Sequence, residues 1–154
     1  MNKFMEKAIE EAEKGIAARD GGPFGAVIVK DKKIISFGHN KVISSNDPTA
    51  HAEIVAIREA SKLLQRFDLS DCELYTTCEP CPMCYSAIHW AKISKVYYGA
   101  TRMDAKNIGF DDQYLYDVLS NKISDTKLTL EELGRESCLK VFDEYIKDDK
   151  RKAY

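Results

Sequence analysis

The sequence predicts an α/β fold of three layers, a mixed central sheet flanked by helices on both faces. Short β-branched runs alternate with segments of helical periodicity, and turn residues stand at the boundaries between them. No internal repeat or low-complexity linker interrupts the 154 residues, so 1–154 reads as a single domain with enough chain to bury a core.

Phe4, Ala8, Ile9, Ala12 and Ile16 recur at helical spacing and predict an opening amphipathic helix that stops near Asp20-Gly21-Gly22. Phe24–Lys30 and Ile34–Gly38 are apolar strands joined across Asp31-Lys32-Lys33, a hairpin. Asp47-Pro48 is a helix start, with Asp to cap the first amides and Pro suited to the first helical position. That helix runs through Ile54, Ile57 and Ala60 toward Leu64. Leu74–Thr77 reads as a strand, Cys81–Ala91 as a helix and Val96–Gly99 as a strand. Asp111–Leu119 and Glu136–Ile146 complete the helices, while Lys127–Leu130 is either a further strand or a loop. In open sheets of this kind sites gather where strands end and helices begin.

Composition narrows the function classes. No apolar run approaches the ~20 residues that cross a bilayer, and Met1–Lys14 carries Glu6, Glu10, Glu11 and Glu13 with no signal-peptide core behind them. The net charge of −2 lacks the basic footprint that phosphate-backbone binding needs. Small molecules are therefore the expected substrates, rather than nucleic acid. Five cysteines, three of them crowded into Cys78–Cys84, make a poor disulfide framework and a better metal or redox cluster, which places the chain in a reducing cytoplasm.

Two segments carry chemistry: His51-Ala52-Glu53 and Pro80-Cys81-Pro82-Met83-Cys84. Two Cys separated by two residues can turn both sulfurs toward one ion, and zinc suits thiolate plus imidazole. With His51 as third protein ligand, a fourth position stays open for water, the arrangement of a catalytic rather than a structural zinc. Each residue also has a blander use. His51 can be a hydrogen-bonded histidine, Glu53 an acid in a first helical turn, and Cys81 with Cys84 a redox pair. Cys78, Cys81 and Cys84 open with iron–sulfur spacing, but Ile88 and His89 stand where the further Cys and Pro belong. A structural four-ligand zinc using Cys78 fits the spacing too. The combination decides, because H-x-E followed by P-C-x-x-C is the zinc deaminase signature. Zinc lowers the pKa of bound water to ~7, and Glu53 would carry protons between that water, a ring nitrogen and the departing amine. Spacing leaves one step open: positions i and i+2 diverge around a regular helix, so a helix begun at Asp47 does not explain how Glu53 reaches a water that His51 helps to hold.

Beyond these motifs the chain resembles the bacterial guanine deaminases of the cytidine deaminase-like superfamily. The resemblance is carried by Gly22-Pro23-Phe24-Gly25-Ala26-Val27-Ile28-Val29, Ser45–Glu53, Cys78–Cys84, Gly109-Phe110-Asp111-Asp112 and a final Tyr154. It spans nearly the whole length and is weakest over Lys122–Arg135. It implies a cytidine deaminase-like fold, one zinc ion per chain, and hydrolytic deamination of guanine to xanthine and ammonia in purine metabolism. It also implies that Ala52, Asn40, Asp112 and Tyr154 face the base, that Phe24 packs on it, and that a homodimer exchanges a C-terminal segment from about 135 to 154. Phe24 and Trp90 offer flat apolar faces for a purine. A carboxylate such as Asp112 accepts from guanine N1–H and N2–H but would meet a bare acceptor at adenine N1. Taken singly, Asp112 can merely start a helix, Asn40 can serve a turn and Tyr154 can end a frayed tail. Cytosine, guanosine or tRNA adenosine deaminase use the same zinc chemistry and remain alternatives, as does a non-catalytic zinc or redox module in which Glu53 is idle.

Overall fold

Asn2 accepts hydrogen bonds from the amides of Phe4 and Met5, and this cap opens α1 (Lys3–Ala18). Residues 2–154 are described in the structure, a computed structural model. After α1 come β1 (Gly25–Lys30) and β2 (Lys33–His39), joined by Asp31 and Lys32. Both linking residues have positive φ, 49° and 59°, the backbone of the two-residue hairpin turn that matches strand twist. Then follow α2 (Ala52–Leu64), β3 (Glu73–Cys78), α3 (Pro82–Trp90) and β4 (Lys95–Ala100). Among the described residues the strands form one sheet in the order β2-β1-β3-β4. β1 is antiparallel to both β2 and β3, and β3 is parallel to β4, so the sheet is mixed.

The alternation of side chains along β1 and β3 divides the core into two layers. Val27, Val29 and Tyr75 face α1 and pack with Phe4 and Ala8. Ala26, Ile28 and Leu74 face the other way, onto Ala52, Ala56 and Ala60 of α2 and Ile88 of α3. Both faces of the central strands are thus buried, which is why β1 reads as an unbroken apolar run. The fold is the predicted α/β/α sandwich.

Two elements differ from expectation, and one left open between strand and loop is a loop. α2 starts at Ala52 rather than at Asp47-Pro48. The Asp47 carboxylate accepts from the amide and hydroxyl of Thr49, a local turn that competes with helix initiation. A short helix, α4 (Arg102–Asn107), had no place in the sequence reading; Thr101 and Asp104 close a reciprocal capping box at its start. Lys127–Leu130 lies outside any helix or strand. There Asp125 accepts from the amides of Lys127 and Leu128, turning the backbone away from extended pairing. The helices α5 (Asp112–Leu119) and α6 (Arg135–Lys147) stand close to their predicted bounds.

The chain divides into two compact units, Met1–Tyr116 and Asp117–Tyr154. In the second, Val141, Phe142, Tyr145 and Ile146 form an exposed apolar stripe on α6. Beyond the helix, Arg151 donates to the carbonyls of Ile146 and Asp148, and the Tyr145 hydroxyl donates to the Lys152 carbonyl. No helix among the described residues is long and apolar enough to cross a membrane.

Candidate active site

Two helix N-termini meet at the site. His51 is the N-cap of α2 and Cys81 the N-cap of α3, each with extended backbone (ψ 157° and 166°). The loop before α2 is tied down by bonds from Asn40 N to the Phe24 carbonyl and from Lys41 N to the Ala50 carbonyl, 3.0 and 2.9 Å. Because His51 stands outside the helix while Glu53 lies in its first turn, the divergence expected of positions i and i+2 does not arise. Glu53 is buried; it accepts from the Thr76 hydroxyl at 3.3 Å and from the Cys84 thiol at 3.4 Å.

The His51 Nδ1 atom is 3.5 Å from Cys81 Sγ and 3.6 Å from Cys84 Sγ. These donor atoms all lie within 4.8 Å of one another. Zinc bonds of about 2.3 Å to sulfur and 2.05 Å to nitrogen, set at the tetrahedral angle, separate N from S by about 3.6 Å. The donor set therefore fits that ion in type and in spacing. Cys78 stands apart: its thiol is directed to the Thr101 carbonyl at 3.6 Å, and burial raises its pKa to about 11. That geometry disfavours the iron–sulfur and four-ligand readings.

Electrostatics favour a thiolate at the donor cluster. Hydrogen bonds from Cys84 and then from His51 draw the Cys81 pKa down, against the effect of burial, and the same pairing pushes Cys84 up. The Cys81 sulfur lies next to the amides of the first turn of α3, where negative charge is favoured. His51 is raised by its bond to Cys81. Burial is the main cause that lifts Glu53 above the ordinary carboxylate range, a useful setting for a group that must both take and give a proton.

One cavity is lined by Phe24, Asn40, His51, Glu53, Cys81 and Asp112, together with Cys78, Glu79 and Phe110. The sequence offers Cys78 only as a further metal ligand and gives no role to Glu79, Phe110 or Thr76. Phe110 was legible only as a neighbour of Asp112; it meets Phe24 edge to face at 5.0 Å. Asn40 is buried beside Gly21, where an added Cβ would come within 2.1 Å of its side-chain oxygen. That oxygen accepts from Val42 N at 3.0 Å, so the donor side of the amide is what Asn40 offers a ligand. Burial and the Cys81 charge raise Asp112 to about 6, with His51 opposing them. Ala52 is fully buried at the first position of α2. Trp90, proposed from sequence as a purine face, does not line this cavity. It ends α3, about 12 Å of helix beyond Pro82, and is 65% exposed. Tyr154 belongs to the second unit.

Residues 1–100 match the family described as the cytidine and deoxycytidylate deaminase zinc-binding region. The chain belongs to this family. It is a zinc-dependent hydrolase whose metal motifs are those common to zinc deaminases. This deaminase is 44% identical to the guanine deaminase of Bacillus subtilis over 98% of its own length and 97% of that protein's. The structure of the Bacillus subtilis guanine deaminase superposes with a TM-score of 0.93, covering 100% of this chain and 99% of that one. A guanine deaminase from Nitrosomonas europaea, 36% identical, gives a TM-score of 0.66 over 71% of this chain and 63% of that one. The tRNA-specific adenosine deaminase of Aquifex aeolicus is 36% identical over 94% of this chain and 92% of its own.

Proposed function

We propose that this deaminase converts guanine and water to xanthine and ammonia. The observation that carries the reading is that Phe24, Asn40 and Asp112 line the same cavity as the zinc donors His51 and Cys81 and the buried Glu53. Guanine presents N–H donors at N1 and N2 for the Asp112 carboxylate and acceptors for the Asn40 amide, and its ring is sized for the Phe24 face. The extent of similarity to the Bacillus subtilis guanine deaminase supports the same substrate.

His51, Cys81 and Cys84 hold the ion. When bound, zinc supplies Lewis-acid activation of water at neutral pH. Glu53 takes a proton from the attacking water and passes it to a ring nitrogen. Once the carbon–oxygen bond has formed, Glu53 takes the remaining proton of the new hydroxyl and delivers it to the amino group. That group leaves as ammonia as the carbon–nitrogen bond breaks and the carbonyl forms. The Thr76 hydroxyl anchors one oxygen of the Glu53 carboxylate.

The working form in this reading is a cytoplasmic homodimer in which the segment from about 135 to 154 is exchanged, bringing Tyr154 over the partner's site. The apolar stripe on α6 suits packing against another chain, and the free thiols suit a reducing compartment. Ammonia release on a panel of guanine, adenine, cytosine, guanosine and a tRNA anticodon stem-loop tests the substrate. Guanine should give the highest kcat/KM. Preference for the stem-loop would replace guanine with tRNA and leave the zinc chemistry standing.

A further inference from the structure

We propose that Tyr116 is a positioning residue for base selectivity, acting through Asp112; this rests on the guanine reading above. The Tyr116 hydroxyl donates to the Pro80 carbonyl at 2.6 Å, and Pro80 directly precedes Cys81. The guanidinium of Arg102 lies 3.8 Å from the centre of the Tyr116 ring. Arg102 in turn grips Glu79: its Nε and one terminal nitrogen donate to Oε1 at 3.1 and 2.7 Å, and its backbone amide donates to Oε2 at 2.9 Å. Three segments are thereby joined: the β3–α3 loop with Glu79 and Pro80, the start of α4 with Arg102, and α5 with Tyr116.

Asp112 and Tyr116 are four residues apart on α5, hence on one face of the helix. Tyr116 clips that face to the loop carrying Cys81, and Asp112 projects from the same face into the cavity. An aspartate has a short side chain, so its carboxylate goes where the helix puts it. Four residues of helix rise about 6 Å, so a tilt of about 10° at Tyr116 would move Asp112 by ~1 Å. A displacement of that size takes a hydrogen bond out of its useful range. The clip is polar on one side and stacked on the other, and its partners are 14 and 36 residues away in sequence. No such contact is needed for α5 to be a helix. What it fixes is the position of α5 relative to the zinc donors.

The test is a double-mutant cycle on the zinc-loaded full chain, with wild-type guanine turnover measured first. If the wild type does not deaminate guanine, the functional reading fails before Tyr116 is at issue. Given guanine turnover, Tyr116→Phe keeps the ring under Arg102 and removes only the hydroxyl. It should raise KM for guanine about three- to tenfold, leave kcat within about twofold, and leave zinc content unchanged. In an Asp112→Asn background the same substitution should change kcat/KM by less than about twofold, because the carboxylate it positions is already gone. An equal loss in both backgrounds, or a loss confined to kcat or to zinc content, overturns the proposal. Should Tyr116→Phe fail to fold, Arg102→Gln removes the ring stack and the grip on Glu79 from a residue outside the cavity. It must show the same KM-selective loss and the same dependence on Asp112, or the proposal is wrong.

Discussion

Glu53→Gln isolates the proton carrier from everything else the residue does. In the folded chain Glu53 accepts from Thr76 on one oxygen and from Cys84 on the other. Glutamine can keep the first contact with its amide oxygen and place its NH2 group toward the sulfur, so packing and shape are retained. The net change in hydrogen bonding is then within about 1 kcal/mol, and the melting temperature should move by no more than about 4 °C. Catalysis is different, since an amide does not take a proton from water at neutral pH. General acid–base contributions of ~10²–10⁴-fold correspond to about 3–5 kcal/mol of barrier, and a group used in several transfers should sit at the upper end. The assay is ammonia release from guanine at saturation, with zinc measured by elemental analysis on the same preparations. The expected result is full zinc, a native melting temperature, and kcat reduced by at least a hundredfold. A kcat within tenfold of wild type would falsify the assignment of Glu53 as proton carrier. Loss of zinc together with activity would instead make Glu53 a support for the metal donors.

Cys81→Ala and Cys84→Ala should each abolish or greatly weaken zinc binding. Cys72→Ser and Cys138→Ser should not, because neither sulfur belongs to the donor cluster; elemental analysis reads both. Asp112→Asn should lower the ratio of guanine to adenine kcat/KM, since an amide can present a donor where the carboxylate only accepts. With Asp112 raised to about 6, mainly by burial, its charged form is present above that pH and is lost below it. Guanine KM should therefore climb as pH falls through about 6 in the wild type, and this limb should be missing from the Asn variant. Deleting Lys152–Tyr154 should leave zinc content and stability nearly unchanged while sharply lowering guanine kcat/KM. Mixing that chain with Glu53→Gln should restore activity if the tail is exchanged, and no recovery on mixing would refute the exchange.

Much of this fold was written in local patterns. The β-branched runs, the hairpin turn at Asp31 and the helical spacing of α1 each declare themselves within a few residues. The metal motifs did so too, because thiolate and imidazole ligands come from short segments with restricted spacing. Where the sequence reading failed, a local signal was used for something else or was too short to see. Asp47 has the chemistry of a helix cap, but its carboxylate caps Thr49 and the helix waits until Ala52. The Thr101-x-x-Asp104 box was available, yet α4 buries only Ala105, so no apolar periodicity called attention to it. Trp90 has the ring of a purine platform, and nothing local says that α3 carries it away from the cavity. Thr76, Glu79, Arg102 and Tyr116 act across separations of 23, 23 and 36 residues, where residue type gives no hint of partner.

In the guanine reading, the proton carrier and the zinc donors share one part of the chain with Phe24 and Asn40, while the selectivity carboxylate Asp112 stands in another. Glu53 and the three zinc donors lie within the residues matched by the family, which end at 100. They sit at the N-termini of α2 and α3, both packed on the sheet through buried alanines and Ile88, so their spacing is set by the core. Asp112 and Tyr116 come after that boundary, on a helix with no buried residue of its own. A helix without core burial is held by discrete contacts, and the Pro80 hydrogen bond and the Arg102 stack are of that kind. Changing such contacts would move the selectivity carboxylate by an ångström or so without disturbing the metal. A core substitution under α2 would do the reverse, shifting His51 and Glu53 together and costing turnover on every base alike. Variants should therefore separate into two kinetic classes, those that alter the ratio between bases and those that scale all rates down. The boundary between the classes should fall between the sheet-packed helices and α5.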